Sequence, residues 1–234
     1  MNVPGHPHPA FEAAATAVVV AGRRLGARRL VNGTDGNLSM RLGPFALAVT
    51  PSGRRKDELA PGDILAVSLE AGSEAGGEPT GDARRRPSSD IAVHRAVYAV
   101  RPDAGAVAHA HPPAVLGCLL AGLRPDAAVL PEARAVLGRV AYVPVLPFGG
   151  PAVTAAVADA LRDPAVGAVL LDGHGALAIG RSLDEAVDRL EVLDLLCSTW
   201  HAAWLAGGDP RRRVRRRPYP GAAARAPLPI RRRP

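Results

Sequence analysis

Apolar positions along the chain follow two rhythms, one helical and one alternating, and the switches between them outline the predicted elements. Residues 10–30 carry Phe11, Ala14, Val18, Ala21 and Leu25 at helical spacing, with an exit at Gly26. The turn-rich run Asn32-Gly33-Thr34-Asp35-Gly36-Asn37-Leu38-Ser39 leads into a strand over 38–42. A second strand over 45–50 follows Gly43-Pro44, which reads as a hairpin. Lys56-Asp57-Glu58-Leu59 reads as a short polar turn, 63–69 as a further strand, and the Gly-, Glu- and Arg-rich stretch 70–86 as a surface loop. From 88 to 100 the rhythm is helical, with Ser88 or Ser89 as N-cap and Asp90 in the first turn, where a carboxylate suits the positive end of the helix dipole.

Pro102 stops that helix, and a strand through Ala106-Val107-Ala108-His109-Ala110-His111 follows. A helix over 114–121 ends at Gly122, and 141–146 reads as a strand. Pro151, at a first-turn position, opens a helix to 161. The apolar strand 166–171 turns at Gly173-His174-Gly175 into a strand over 176–179. Ser182-Leu183-Asp184-Glu185 forms a capping box for a long helix to about residue 206. Mixed hairpins and helices of this kind predict a single α/β domain with antiparallel strands.

Composition sharpens that picture. A chain of 234 residues at 47% hydrophobic is ample for one core, and with 3% aromatics that core must be built from Ala, Val and Leu. The net charge of +7 belongs to the end of the chain, because ten arginines and a single acid follow Gly208. The rest is slightly acidic, so the basicity does not mark a nucleic-acid-binding domain. The Pro- and Arg-rich segment 207–234 is expected to be a disordered tail, and its arginines lack the interleaved aromatics of a single-strand binder. Residues 1–9 read as an extension, leaving 10–206 as the folded unit. Cys118 and Cys197 lie in apolar helical patterns and suggest no disulfide framework. No signal peptide or membrane-spanning run is evident, and the expectation is a soluble cytoplasmic protein.

Candidate chemistry centres on histidine. Alternate strand residues share a face, so His109 and His111 project together, either as ligands of one metal ion or as two satisfied histidines at a strand end. His174, flanked by glycines at the end of another strand, supplies a third imidazole. Three neutral imidazoles on a sheet edge would bind Zn2+ and leave its fourth position open, as a catalytic site requires. His6, His8 and His201 suit this role less well, and His94 is expected to support its neighbours on the helix.

The ordered set Gly33-Thr34-Asp35-Gly36-Asn37-Leu38-Ser39, Thr50-Pro51-Ser52-Gly53, Pro87-Ser88-Ser89-Asp90, His109-Ala110-His111 and Gly173-His174-Gly175 resembles the class II aldolase/adducin family, which includes L-fuculose-1-phosphate aldolase and L-ribulose-5-phosphate 4-epimerase. The resemblance spans about residues 10–206. It implies a three-layer α/β/α domain around a largely antiparallel sheet, zinc on His109, His111 and His174, and a phosphate pocket from Asn37, Ser52, Gly53, Ser88 and Ser89. Hydroxyls and backbone N–H groups at Gly turns and a helix start suit an anion, although plain capping and turn formation would use the same residues.

Asp90 occupies the position of the family's acid/base carboxylate, which is Glu in the fuculose-phosphate aldolases and Asp in the epimerases. The shorter arm retracts the carboxylate by roughly 1.5 Å, and a misplacement of about 1 Å can cost about a hundredfold in rate unless the site is built for it. Glu132 aligns with an acid/base Glu of the methylthioribulose-phosphate dehydratases, or is a first-turn helix carboxylate; both readings stand. The aldolases' proton-donating tyrosine has no counterpart between Tyr98 and Tyr142.

The implied activity is that of a zinc-dependent lyase, cleaving a carbon–carbon bond of a small ketose or sugar acid, expected to be phosphorylated, through a zinc-stabilised enediolate. Epimerisation, decarboxylation and dehydration share that intermediate. The resemblance further implies a homotetramer with active sites between subunits. A non-catalytic, adducin-like interaction module is the competing class; the three histidines with a nearby carboxylate favour catalysis.

Overall fold

The computed structural model describes residues 9–70, 86–147 and 150–215. Helix α1 (Pro9–Ala27) precedes strands β1 (Asn37–Arg41), β2 (Ala46–Val49) and β3 (Leu65–Ser68). Then come α2 (Ile91–Val100), β4 (Ala106–Ala110), α3 (Pro113–Leu120), α4 (Pro131–Leu137), β5 (Arg139–Val143), α5 (Pro151–Leu161), β6 (Val166–Leu171), β7 (Gly175–Gly180), α6 (Leu183–Leu205) and α7 (Pro210–Arg215). The strands form one sheet in the order β3-β2-β1-β4-β7-β6-β5, antiparallel throughout except for β5 beside β6. The expected α/β/α architecture is the observed one.

Strand periodicity separates two cores. On β4 and β7, Ala106, Ala108, Ala110, Ala176 and Ala178 face the layer that contains α1, α3, α4 and α6. Val107, Leu177 and Ile179 face the α2 and α5 layer. Small alanines at the sheet's centre leave room for the long α6, which packs across β4 and β7. The α6 start shows half of the predicted capping box: Glu185 N–H donates to Ser182 Oγ at 3.2 Å, but Glu185 Oε2 accepts from the Arg181 backbone N–H at 2.9 Å rather than from that of Ser182.

Several elements depart from their sequence pattern. Strand β5 begins and ends earlier than 141–146, since it follows the register of β6. Helix α2 starts at Ile91 with Asp90 itself at the N-cap, so neither serine caps it and Asp90 is not a first-turn residue. The Asp90 side chain is drawn instead to Asn37 on β1. The tail is not irregular from 207 onward, because Pro210–Arg215 form α7, where Asp209 Oδ1 accepts from the Arg211 backbone and the Arg211 guanidinium lies over the Trp204 ring. Residues 1–8, the bulk of the expected surface loop (71–85) and 216–234 lie outside the described residues. Among the described residues no helix is long and apolar enough to cross a membrane.

Candidate metal centre

His109 is the penultimate residue of β4 and His111 lies just past its end, with its backbone N–H bonded to the Leu30 carbonyl at 3.0 Å. His174 closes the tight turn between β6 and β7. Because β4 and β7 are adjacent, the three imidazoles converge, with Nε2 of His109 2.9 Å from Nε2 of His174 and 3.0 Å from Nε2 of His111. Two imidazole nitrogens on one tetrahedral zinc would stand about 3.3 Å apart, so the spacing fits a shared ion closely. Gly175 makes this approach feasible, since its φ is +149° and a Cβ there would sit 2.5 Å from the Ala110 carbonyl and 2.8 Å from the His111 ring.

The donor set fits a metal chemically as well. His109 Nδ1 lies 2.9 Å from the Ala176 carbonyl oxygen, which can only accept, so Nδ1 carries the proton and Nε2 presents a bare lone pair. That single lone pair faces two further imidazole nitrogens, of which a hydrogen bond would serve one at a time, whereas a shared cation would engage all three. Burial pushes all three histidines below the ordinary value, helped at His109 by the other two rings and at His174 by His111. Neutral imidazoles are the form that ligates. Asp35 Oδ2 stands 3.6 Å from His111 Nδ1, beyond hydrogen-bond reach.

Asp90 Oδ2 lies 3.9 Å from His109 Nε2 and accepts a hydrogen bond of 2.7 Å from Asn37 Nδ2. Both side chains are buried. Asn37 stands on β1, Ser52 and Gly53 in the turn after β2, and Ser88 and Ser89 in the turn before α2. Those last two turns are zipped by a bridge between Pro51 and Pro87, with Ser52 N–H donating to Arg86 O at 2.8 Å and Ser88 N–H to Thr50 O at 3.1 Å. All five residues of the expected phosphate pocket, with Asp90, His109 and His111, line one polar cavity. A second cavity is walled by Val143, Leu146, Val153 and Val157, and again reaches Asn37, Asp90, His109 and His174.

Glu132 is not brought to this site by its own chain. It is exposed in the first turn of α4 and lines neither cavity.

Lys56 is a site residue that the polar-turn reading missed. It lines the polar cavity at 2% exposure, with Nζ donating to Thr34 O at 2.9 Å and Arg54 O at 2.5 Å. Burial brings its ammonium down to about 8 against the opposing pull of Asp35 and Asp57. A lysine beside two acids in a turn looks solvated in sequence, and only the folding of the 34–36 loop over it shows otherwise.

The family model described as Class II Aldolase and Adducin N-terminal domain matches residues 16–201. The chain is 34% identical over 197 residues to methylthioribulose-1-phosphate dehydratase of Methylococcus capsulatus, covering 80% of this chain and 92% of that protein. It is likewise 34% identical over 203 residues to 3,4-dihydroxyphthalate decarboxylase of Arthrobacter keyseri, covering 82% of this chain and 79% of that one. Among solved structures, L-fuculose-1-phosphate aldolase from Thermus thermophilus superposes with a TM-score of 0.69 at 31% identity, over 86% of this chain and 98% of that one.

Proposed function

Since the chain belongs to the class II aldolase and adducin family, we propose that this family enzyme is a zinc-dependent lyase that eliminates water from a small phosphorylated ketose. The observation that carries the reading is the convergence of His109, His111 and His174 beside the buried Asp90, between one polar and one apolar cavity. Zinc held by the three imidazoles would polarise the substrate's carbonyl and adjoining hydroxyl and stabilise the electron pair left when a neighbouring bond breaks.

The chain's own residues would do the rest. Ser52, Ser88, Ser89, Asn37 and the Gly53 turn would hold the phosphate, and its binding energy would position the reacting carbons. Asp90, held by Asn37, would take the proton from the carbon next to the carbonyl and, now protonated, would return it to the hydroxyl that leaves the following carbon, so that the two depart as water. The apolar cavity would take the far end of the substrate and exclude water there. An apolar wall suits a deoxy or thioether terminus better than a chain of hydroxyls, which would lose its hydration without recovering hydrogen bonds. This agrees with the similarity to methylthioribulose-1-phosphate dehydratases.

Aldol cleavage is the second reading, favoured by the likeness to L-fuculose-1-phosphate aldolase. The lack of a tyrosine between Tyr98 and Tyr142 counts against it. Glu132 would take part only across a contact between protomers, in line with a tetramer whose active sites lie between subunits. Incubating the zinc-loaded protein with methylthioribulose 1-phosphate and L-fuculose 1-phosphate distinguishes the outcomes. Loss of one water from the first supports dehydration, aldehyde release supports aldol cleavage, and inertness toward both in the metal-loaded protein overturns the reading.

A further inference from the structure

Helix α2 and strand β1 interleave a ladder of buried polar side chains that runs away from the metal centre. Four residues of helix rise about 6 Å and two residues of strand about 6.8 Å, so the two periods match. Asp90, His94 and Tyr98 therefore alternate with Asn37 and Ser39. The contacts form an unbroken series: Tyr98 Oη to Ser39 Oγ at 2.9 Å, Ser39 Oγ to His94 Nδ1 at 2.6 Å, His94 Nε2 to Asn37 Oδ1 at 2.5 Å, and Asn37 Nδ2 to Asp90 Oδ2 at 2.7 Å. All five residues are buried.

The series has one polarity, fixed from the Asp90 end. A carboxylate only accepts, so Asn37 must turn its NH2 toward Asp90 and its oxygen toward His94. That oxygen also only accepts, so His94 must carry its proton on Nε2. Burial keeps the imidazole neutral, with a pKa brought down to about 4, so Nδ1 is an acceptor and Ser39 donates to it. The remaining lone pairs of Ser39 Oγ receive the Tyr98 hydroxyl, so every proton in the ladder points toward Asp90.

We propose that His94 is a positioning residue, whose Nε2–H fixes the Asn37 amide so that the Asp90 side chain is held in place beside the triad. Rather than only supporting its neighbours on α2, His94 sets which way the amide beside the base faces. Remove the Nε2–H, and Asn37 Oδ1 becomes a buried acceptor without a partner while the amide loses its reason to keep NH2 toward the carboxylate. The proposal rests on the reading of Asp90 as the acid/base group.

Two measurements test it. In the metal-loaded wild type, 15N shifts of the His94 ring at pH 7 are expected to show the Nε2–H tautomer; the Nδ1–H tautomer overturns the proposal without any substrate being needed. With a substrate that turns over, His94→Phe keeps the ring's volume and drops the donor. It is expected to keep metal content and hold KM within about twofold while kcat falls about tenfold or more, the worth of one hydrogen bond that holds a charged group. His94→Gln, with an amide donor at the Nε2 position, is expected to restore most of that loss. A His94→Phe enzyme with wild-type kcat beside an inactive Asp90→Asn overturns the positioning role alone. An Asp90→Asn enzyme with full turnover overturns the acid/base reading and the proposal together.

Discussion

Asn37 stands directly opposite His109 in the antiparallel pairing of β1 with β4. The amide that holds Asp90 and the imidazole at the centre of the triad are thus fixed by one strand ladder. Asp90 itself stands at the start of α2 and joins this ladder through its hydrogen bond from Asn37 Nδ2.

Asp90→Asn should therefore separate metal binding from chemistry. The amide oxygen of the new side chain can still accept from Asn37, so fold and metal content are expected to be retained. Turnover is expected to fall by about a hundredfold or more, as for the loss of a general base. Metal analysis and kcat on the same preparation check this, and an active variant with bound metal would transfer the base role elsewhere.

Gly175 controls how closely His111 approaches the other two rings. With φ at +149° and no room for a Cβ beside the Ala110 carbonyl and the His111 ring, Gly175→Ala must push β7 and the ligand apart. Metal affinity is expected to fall about tenfold or more, the scale for a misoriented ligand. Competition with a chromophoric chelator measures it, and unchanged affinity would mean that His111 is not a ligand.

His94 should make the protein acid-sensitive. The unfolded chain takes up a proton at this residue near 6.5, whereas the folded protein does so only near 4, because burial opposes the charge. Its contribution to stability is full above about pH 6.5 and declines as pH falls toward 4, by on the order of 3 kcal/mol. Denaturation midpoints of wild type and His94→Gln across pH 4–7 test this: the wild type should lose stability more steeply, and parallel curves would contradict it.

Lys56 should act at the other end of the scale. The buried ammonium releases its proton near 8 in the folded protein and near 10.5 unfolded, so the folded state binds fewer protons between those values and gains stability as pH rises through them. The neutral amine still donates to Thr34 O and Arg54 O, so deprotonation keeps the two loops joined. The melting temperature of wild type relative to Lys56→Met should rise from pH 8 to 10; a constant difference would show that Lys56 is not desolvated.

Much of this was legible along the chain because it depends on local order. Val166–Leu171 is bounded in sequence just as it is in the fold, since a purely apolar run with a glycine turn has one way to form a buried strand. The triad was legible because His109 and His111 share a strand end and His174 sits between glycines. Helix α4 showed in the sequence only as the alternative placing of Glu132 in a first helical turn, since its seven residues are too few to display a helical period. Burial of Lys56 and the ladder through His94 depend on a loop and a strand distant in sequence. The four-residue spacing of Asp90, His94 and Tyr98 was visible, but its partner, the two-residue spacing of Asn37 and Ser39, acquires meaning only once α2 lies across β1.

The central claim, that three imidazoles hold one metal ion, is tested most directly by elemental analysis of wild type and His174→Ala, purified without chelator and then given equimolar zinc. About one bound zinc per chain in the wild type and almost none in the variant, with matching circular dichroism, is the predicted result. A folded wild type that takes up no divalent metal, or a His174→Ala protein that holds as much as the wild type, would contradict it.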